Sequence, residues 1–128
     1  MSPVKQITII GAGFGALSTV RAIRARDRKV AITVVAPTAE MHYLPGIIWI
    51  PSGLRKREQL VVPLEPFFQR MNVRHVGAEV TGLDNGGRRV LTRTGAFDND
   101  ALVIASGGRF IKKLPGIEYA ITPCEGIA

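Results

Sequence analysis

Only one cysteine, Cys124, occurs in the chain, so it can hold no internal disulfide, and that usage fits a reducing cytoplasm. No stretch approaches the roughly 18 consecutive apolar residues of a membrane-spanning helix. The first apolar run, Ile7-Thr8-Ile9-Ile10, stops at a glycine and does not read as a signal peptide. Aromatic residues are scarce at 6%, and none alternates with basic side chains as single-strand nucleic-acid binders require. The net charge of +7 is therefore not expected to serve nucleic acid. Its basic residues are dispersed: Arg21, Arg24, Arg26, Arg28 and Lys29, then Arg55, Lys56 and Arg57, then Arg88-Arg89 and Lys112-Lys113. The first group closes a helix, where cations meet the dipole favourably. Peripheral attraction to an anionic membrane surface stays open.

With 128 residues, 46% of them hydrophobic, the chain has the size and composition of one globular domain with a real core. Its most informative stretch is Ile7-Thr8-Ile9-Ile10-Gly11-Ala12-Gly13-Phe14-Gly15-Ala16, an apolar strand running into a glycine turn. Residues 17–27 read as the helix that follows. Strand, turn and helix in that order make the dinucleotide-binding pattern G-x-G-x-x-[G/A], filled by Gly11, Gly13 and Ala16. Gly11 permits the tight turn, Gly13 lets backbone approach a pyrophosphate, and Ala16 lets the helix lie close on the strand. The helix start then offers free N–H groups and a positive dipole end to the anion.

Leu17, Val20 and Ile23 stand at helical spacing and predict an apolar stripe covering one face of a sheet. Val30-Ala31-Ile32-Thr33-Val34-Val35 is too apolar for an exposed edge and reads as a buried parallel strand, completing a βαβ unit. Residues 41–51 are apolar but broken by Pro45 and Gly46, against a long helix. A short extended piece at 60–62, a helix through Phe67, Phe68 and Met71, and a strand at 72–76 follow. Three strand-like segments come next, at 78–83, 89–94 and 101–105. Asp84-Asn85-Gly86-Gly87 between the first two has hairpin chemistry. Thr94-Gly95 and Asp98-Asn99-Asp100 read as turn between the last two, and Leu102-Val103-Ile104 as the return to the parallel sheet. The expected fold class is α/β: a Rossmann-like parallel sheet with flanking helices and a small antiparallel β excursion.

An NAD-type fold normally places Asp or Glu at the end of the second strand, to hold ribose hydroxyls. Here Ala36 and Pro37 stand there, and Thr38 or Glu40 is left as a substitute from the loop. The missing carboxylate counts against a simple NAD dehydrogenase. A second glycine turn, Ala105-Ser106-Gly107-Gly108, follows a buried strand and suggests a second approach to the same ligand. The alternative is a strand that ends in a flexible turn. No metal site is expected.

Gly11-Ala12-Gly13-Phe14-Gly15-Ala16, His42-Tyr43-Leu44-Pro45, Trp49 and Ala105-Ser106-Gly107-Gly108 fall in the order seen in two-dinucleotide flavoprotein oxidoreductases. Residues 43–64, with Pro45, Trp49, Gly53, the basic cluster and Pro63-Leu64, make the chain resemble the sulfide:quinone oxidoreductases most. Flavocytochrome-c sulfide dehydrogenases and type II NADH:quinone oxidoreductases share much of the pattern. The resemblance implies FAD as cofactor, its pyrophosphate held by Gly11, Gly13, Phe14, Gly15 and Ala16. It implies Pro45 toward the flavin ring, backbone around Val80 at the adenine, and Ala105, Ser106 and Gly107 near phosphate and flavin. Ala36 suits it, because these enzymes often carry a small residue there. Cys124 falls where they carry the first of three cysteines, and the plainer reading of a lone cysteine is a small buried hydrophobe.

The resemblance also implies that residues 1–110 are a first FAD-binding segment and 111–128 a connector toward a second dinucleotide-type domain absent from this chain. The 128 residues alone are then expected to be inactive and, with sheet edge and apolar surface uncovered, prone to self-association. In the parent enzyme, electrons would pass from sulfide through cysteine and FAD to quinone, with peripheral attachment at the inner face of the cell membrane. Two other readings stand beside this one: part of a type II NADH:quinone oxidoreductase, and a non-catalytic dinucleotide-binding module.

Overall fold

The structure is a computed structural model and describes residues 4–108 and 111–120. The chain runs β1 (Gln6–Ile10), α1 (Phe14–Arg26), β2 (Ala31–Ala36), β3 (Glu40–His42), β4 (Val61–Pro63), α2 (Glu65–Arg70), β5 (Val73–Gly77), β6 (Val80–Asp84), β7 (Arg89–Thr92), β8 (Gly95–Asp98) and β9 (Ala101–Ile104). Two compact units result. The first comprises the chain up to Glu40 together with Pro63–Gly107; the second comprises Met41–Val62 and the described residues after Gly107.

In the first unit a parallel sheet forms in the order β5-β2-β1-β9. Apolar, β-branched strands suit a sheet covered on both faces, and Ile9, Ile32, Val34 and Val35 are buried almost completely. α1 begins at Phe14, three residues earlier than the sequence pattern suggests, because the glycine turn feeds straight into it. Ala16 and Val20 are its buried residues; Leu17 and Ile23 are half-buried and Ala22 is exposed, so the apolar stripe is narrow.

The antiparallel excursion is a three-stranded meander, β6-β7-β8. Its first turn uses the expected Asp-Asn-Gly-Gly: Asn85 (φ 50°) and Gly86 (φ 61°) take left-handed backbone, and Asp84 Oδ1 accepts the N–H of Asn85. Gly95–Asp98 corrects the sequence reading, which took Gly95 and Asp98 as parts of turns. They bound a strand, β8, paired with β7 from Arg89↔Asp98 to Thr92↔Gly95. Four residues between a Thr-Gly turn and an Asp-Asn-Asp turn carry little local strand signal; pairing along β7 decides it. Val90, fully buried, anchors the meander.

The second unit carries the two-stranded sheet β3-β4 and 3-10 helices at Leu44–Trp49 and Arg57–Leu60. Leu60 is buried and its side chain lies against Gly46; Ile48, Trp49 and Leu54 are exposed.

Two polar devices fix this architecture. Asp100 Oδ2 accepts the backbone N–H groups of Lys5 and Gln6, both at 2.9 Å, while the Asp100 N–H donates to Gln6 O at 3.0 Å. This clamp pins the start of β9 beside the start of β1. The two N–H bonds hold the Asp100 carboxyl below its ordinary value. Arg24 does more than oppose a dipole. Its guanidinium donates to the carbonyls of Met71 (2.7 Å), Val30 (2.7 Å) and Asn72 (2.9 Å), tying the end of α1 to the end of α2.

Two outcomes follow. Arg24→Ala should lower stability by about 2 kcal/mol in urea unfolding, and Arg24→Lys should restore little, since an ammonium cannot span three carbonyls. Asp100 is stabilising above its unfolded value, and that contribution is lost as pH falls through its lower folded value. Asp100→Ala should therefore lower Tm at neutral pH, and the difference from the parent should shrink on acidification below the usual carboxylate range.

Candidate functional site

From β1 the chain moves outward through β2 to β5, then returns to the opposite side of β1 as β9. The strand order thus reverses at the β1/β9 boundary. In open parallel sheets such a switch point opens a crevice at the carboxyl ends of the strands, where ligands bind. Both glycine turns leave the sheet at this place: Gly11 follows β1, and Ala105-Ser106-Gly107 follows β9.

The two turns touch. Gly11 donates its N–H to Val35 O at 2.9 Å, and Ala105 donates to Ile10 O at 2.8 Å, so the ladder continues one residue beyond each strand. Gly11 has φ +106°, and a Cβ placed on it would run into the backbone carbonyl of Ala105. Glycine is required here for backbone conformation and for space together. Gly13 differs: its φ −87° and ψ −169° suit any residue, and a Cβ there would meet nothing within 4 Å. What its missing side chain leaves is open room in front of a helix start.

That helix start suits an anion. Gly13 is the N-cap of α1 and no side chain caps it; the first turn has no acidic residue, and Leu17 N–H to Gly13 O (3.1 Å) is the bond that closes the first turn. The N–H groups of a first helical turn have no acceptor within the helix, and the dipole adds positive potential. Gly15 and Phe14 are exposed on this turn, Ala16 is buried beneath it, and a Cβ on Gly15 would lie 3.7 Å from the Ala105 Cβ. Ser106 and Gly107 are exposed, Gly107 at φ +74°. Backbone donors, open space and no competing carboxylate make this cradle fit a pyrophosphate.

Ala36 closes β2 beside this edge and is buried, paired with Gly77 of β5. Its carbonyl is 3.0 Å from His75 Nε2, and the His75 ring stacks on Phe68 at 5.5 Å. The place of the usual ribose-binding acid is thus occupied by a small residue whose carbonyl a histidine engages. Sequence reasoning missed His75, because a lone histidine in a short strand carries no signal until β5 is known to lie beside β2. Thr38 is exposed in the following loop. Val80 opens β6 three residues after Gly77, so the chain toward it leaves from the same sheet edge. Pro45 belongs to the second unit, exposed within the 3-10 helix Leu44–Trp49. Cys124 lies outside the described residues. Among the described residues, no group of His, Cys, Asp or Glu could hold a metal ion.

Residues 5–126 match the model of the pyridine nucleotide-disulphide oxidoreductase family, and the chain belongs to that family. It is 27% identical over 115 residues to the sulfide-quinone reductase of Aquifex aeolicus, covering 89% of this chain and 27% of that protein. It is 31% identical over 118 residues to the type II NADH:quinone oxidoreductase of Staphylococcus aureus, covering 89% of this chain and 28% of that protein. The crystal structure of the Aquifex aeolicus sulfide:quinone oxidoreductase superposes with a TM-score of 0.84 at 25% identity, over 96% of this chain and 30% of that one. The chain therefore spans less than a third of the length of these relatives and matches their N-terminal dinucleotide-binding part.

The two glycines of the turn should separate experimentally. Gly11→Ala should cost at least about 2 kcal/mol of stability, because strained backbone and collision with Ala105 add. Gly13→Val should cost less than about 1 kcal/mol, the value of a weaker N-cap. Urea unfolding of the two variants measures both, and equal losses would contradict the geometry.

Proposed function

We propose that this chain is the N-terminal FAD-binding portion of a sulfide:quinone-type oxidoreductase, with residues 111–128 leading toward a second dinucleotide-type domain. The observation that carries the reading is the carboxylate-free glycine cradle at the switch point. It stands in a chain whose backbone follows that of a sulfide:quinone oxidoreductase over nearly its whole length. Gly13, Phe14, Gly15 and Ala16 hold the pyrophosphate by backbone N–H groups and the helix dipole, and Gly11, whose own N–H is spent on Val35, contributes the tight turn that brings them to it. Ala105, Ser106 and Gly107 close the second side of the crevice, Ala36 and Thr38 face the ribose, the backbone at Val80 meets the adenine, and Pro45 approaches the flavin ring. Bound FAD supplies the two-electron chemistry, and the protein orients it. Cys124 would supply one sulfur of a cysteine disulfide, so that attack by sulfide forms a new S–S bond as a cysteine thiolate leaves, and the 128 residues alone are inactive.

Quinone as acceptor is supported by the names of both relatives. Quinones partition into lipid, which favours a site of action at the inner surface of the cell membrane. Among the described residues no helix is long and apolar enough to cross a membrane. Exposed Ile48 and Leu54, close in sequence to Arg55, Lys56 and Arg57, support contact with anionic lipid. The 31% identity to a type II NADH:quinone oxidoreductase favours NADH as a second candidate donor.

The donor is tested with the full-length flavoprotein under anaerobic conditions. Sulfide should bleach the flavin absorbance and NADH should not; the reverse result assigns the NADH-linked activity. A colourless protein that binds AMP or NAD(P) would replace both readings with a non-catalytic module. Gly13→Val should give folded protein poor in flavin. Cys124→Ser should keep colour and fold while slowing reduction by sulfide by at least roughly a hundredfold. Unchanged sulfide reduction would make Cys124 a packing residue.

A further inference from the structure

The C-terminal ends of α1 and α2 meet in a cleft of about 460 Å³, lined by Arg21, Arg24, Arg28 and Arg70 with Ala25 and Met71 as apolar wall. Its volume is in the roughly 300–1,000 Å³ range of small-molecule sites. We propose that this cleft binds a phosphate-bearing anion, at a site separate from the glycine cradle and independent of the flavin reading. The cradle stands at the N-terminal end of α1, and 13 helical residues rising about 1.5 Å each put the cleft roughly 20 Å away.

Two helix C-termini normally repel anions through their free carbonyls. Here Arg24 offsets part of that repulsion by covering carbonyls just beyond the two helix ends. Its N–H groups occupy the carbonyls of Asp27, Val30, Met71 and Asn72, which leaves a rigid, cationic floor. Asp27 is the carboxylate on this loop, and its Oδ1 already accepts the N–H groups of Lys29 (2.7 Å) and Val30 (3.0 Å). Among the described residues, the salt bridges join Arg89 to Asp98 and Arg93 to Glu79; Arg21, Arg28 and Arg70 take part in none.

Arg21 and Arg24 stand three residues apart on α1, and Arg28 in the loop just after the helix and Arg70 at the end of α2 line the same cleft, so like charges crowd together and destabilise the free protein. A dianion in the cleft relieves this repulsion. The planar guanidinium fork matches phosphate oxygens two at a time, which suits arginine to this task better than lysine. The same chemistry is presented by a soluble phosphate ester and by the headgroup of an anionic phospholipid.

The test uses the intact protein at low salt, where screening is weak. Inorganic phosphate is titrated by calorimetry, and co-sedimentation is measured with vesicles of phosphatidylcholine containing phosphatidylglycerol. Arg21→Gln/Arg28→Gln/Arg70→Gln alters exposed side chains and leaves Arg24 in place, so the fold is kept. Arg88→Gln/Arg89→Gln/Arg93→Gln removes the same charge elsewhere and serves as the control. The proposal expects phosphate affinity to fall roughly tenfold or more in the first variant and to hold in the control. Vesicle binding lost in the first variant alone, without binding of inorganic phosphate, assigns the same site to a lipid headgroup. Equal losses in both variants, or no binding of either probe, overturn the proposal.

Discussion

Everything at the ligand edge of this protein depends on one close approach: the backbone of Gly11 lies against the carbonyl of Ala105, where no Cβ fits. Because β1 and β9 are neighbours at the point where strand order reverses, their two loops must leave the sheet side by side. A side chain at Gly11 would push them apart and open the ladder from Ile10 to Ala105. The contact is held at the far end of the same strand pair by Asp100, whose carboxylate gathers the N–H groups of Lys5 and Gln6. Register set at one end delivers Ala105 to Gly11 at the other.

Above that contact the site is built from backbone. Gly13 contributes room, α1 contributes N–H groups and dipole, and no acidic side chain in its first turn competes for them. Specificity for the rest of a dinucleotide must then come from shape and from the loops. At the end of β2, Ala36 places a carbonyl where related folds place a carboxylate, and His75 engages that carbonyl while resting on Phe68. The loop that follows carries an exposed Thr38.

The positive charge resolves into separate roles once positions are known. Arg24 is structural, spending its guanidinium on carbonyls that join two helix ends. Arg89 and Arg93 make exposed pairs with Asp98 and Glu79, which contribute little in water. Arg21, Arg28 and Arg70 line a cleft with no ion pair among the described residues. The sequence shows all these residues as one basic excess; their division is a property of the fold.

Local chemistry made part of this protein legible from the sequence. Gly11, Gly13 and Ala16 declare a strand–turn–helix because each answers a steric demand within ten residues of chain. The β-branched strands declare burial on both faces, and Asp84-Asn85-Gly86-Gly87 declares a tight turn by its tolerance of left-handed backbone. Other features depend on partners far away along the chain. β8 forms because β7 offers it a pairing edge, and α1 starts early because the turn's geometry continues into it. His75 reaches Ala36, and Arg24 reaches Met71 and Asn72, across 39 to 48 residues of sequence. Residue type and spacing carry the first kind of information, since backbone sterics act locally. Which strands become neighbours, and so which turns and side chains meet, is decided by packing of the whole sheet.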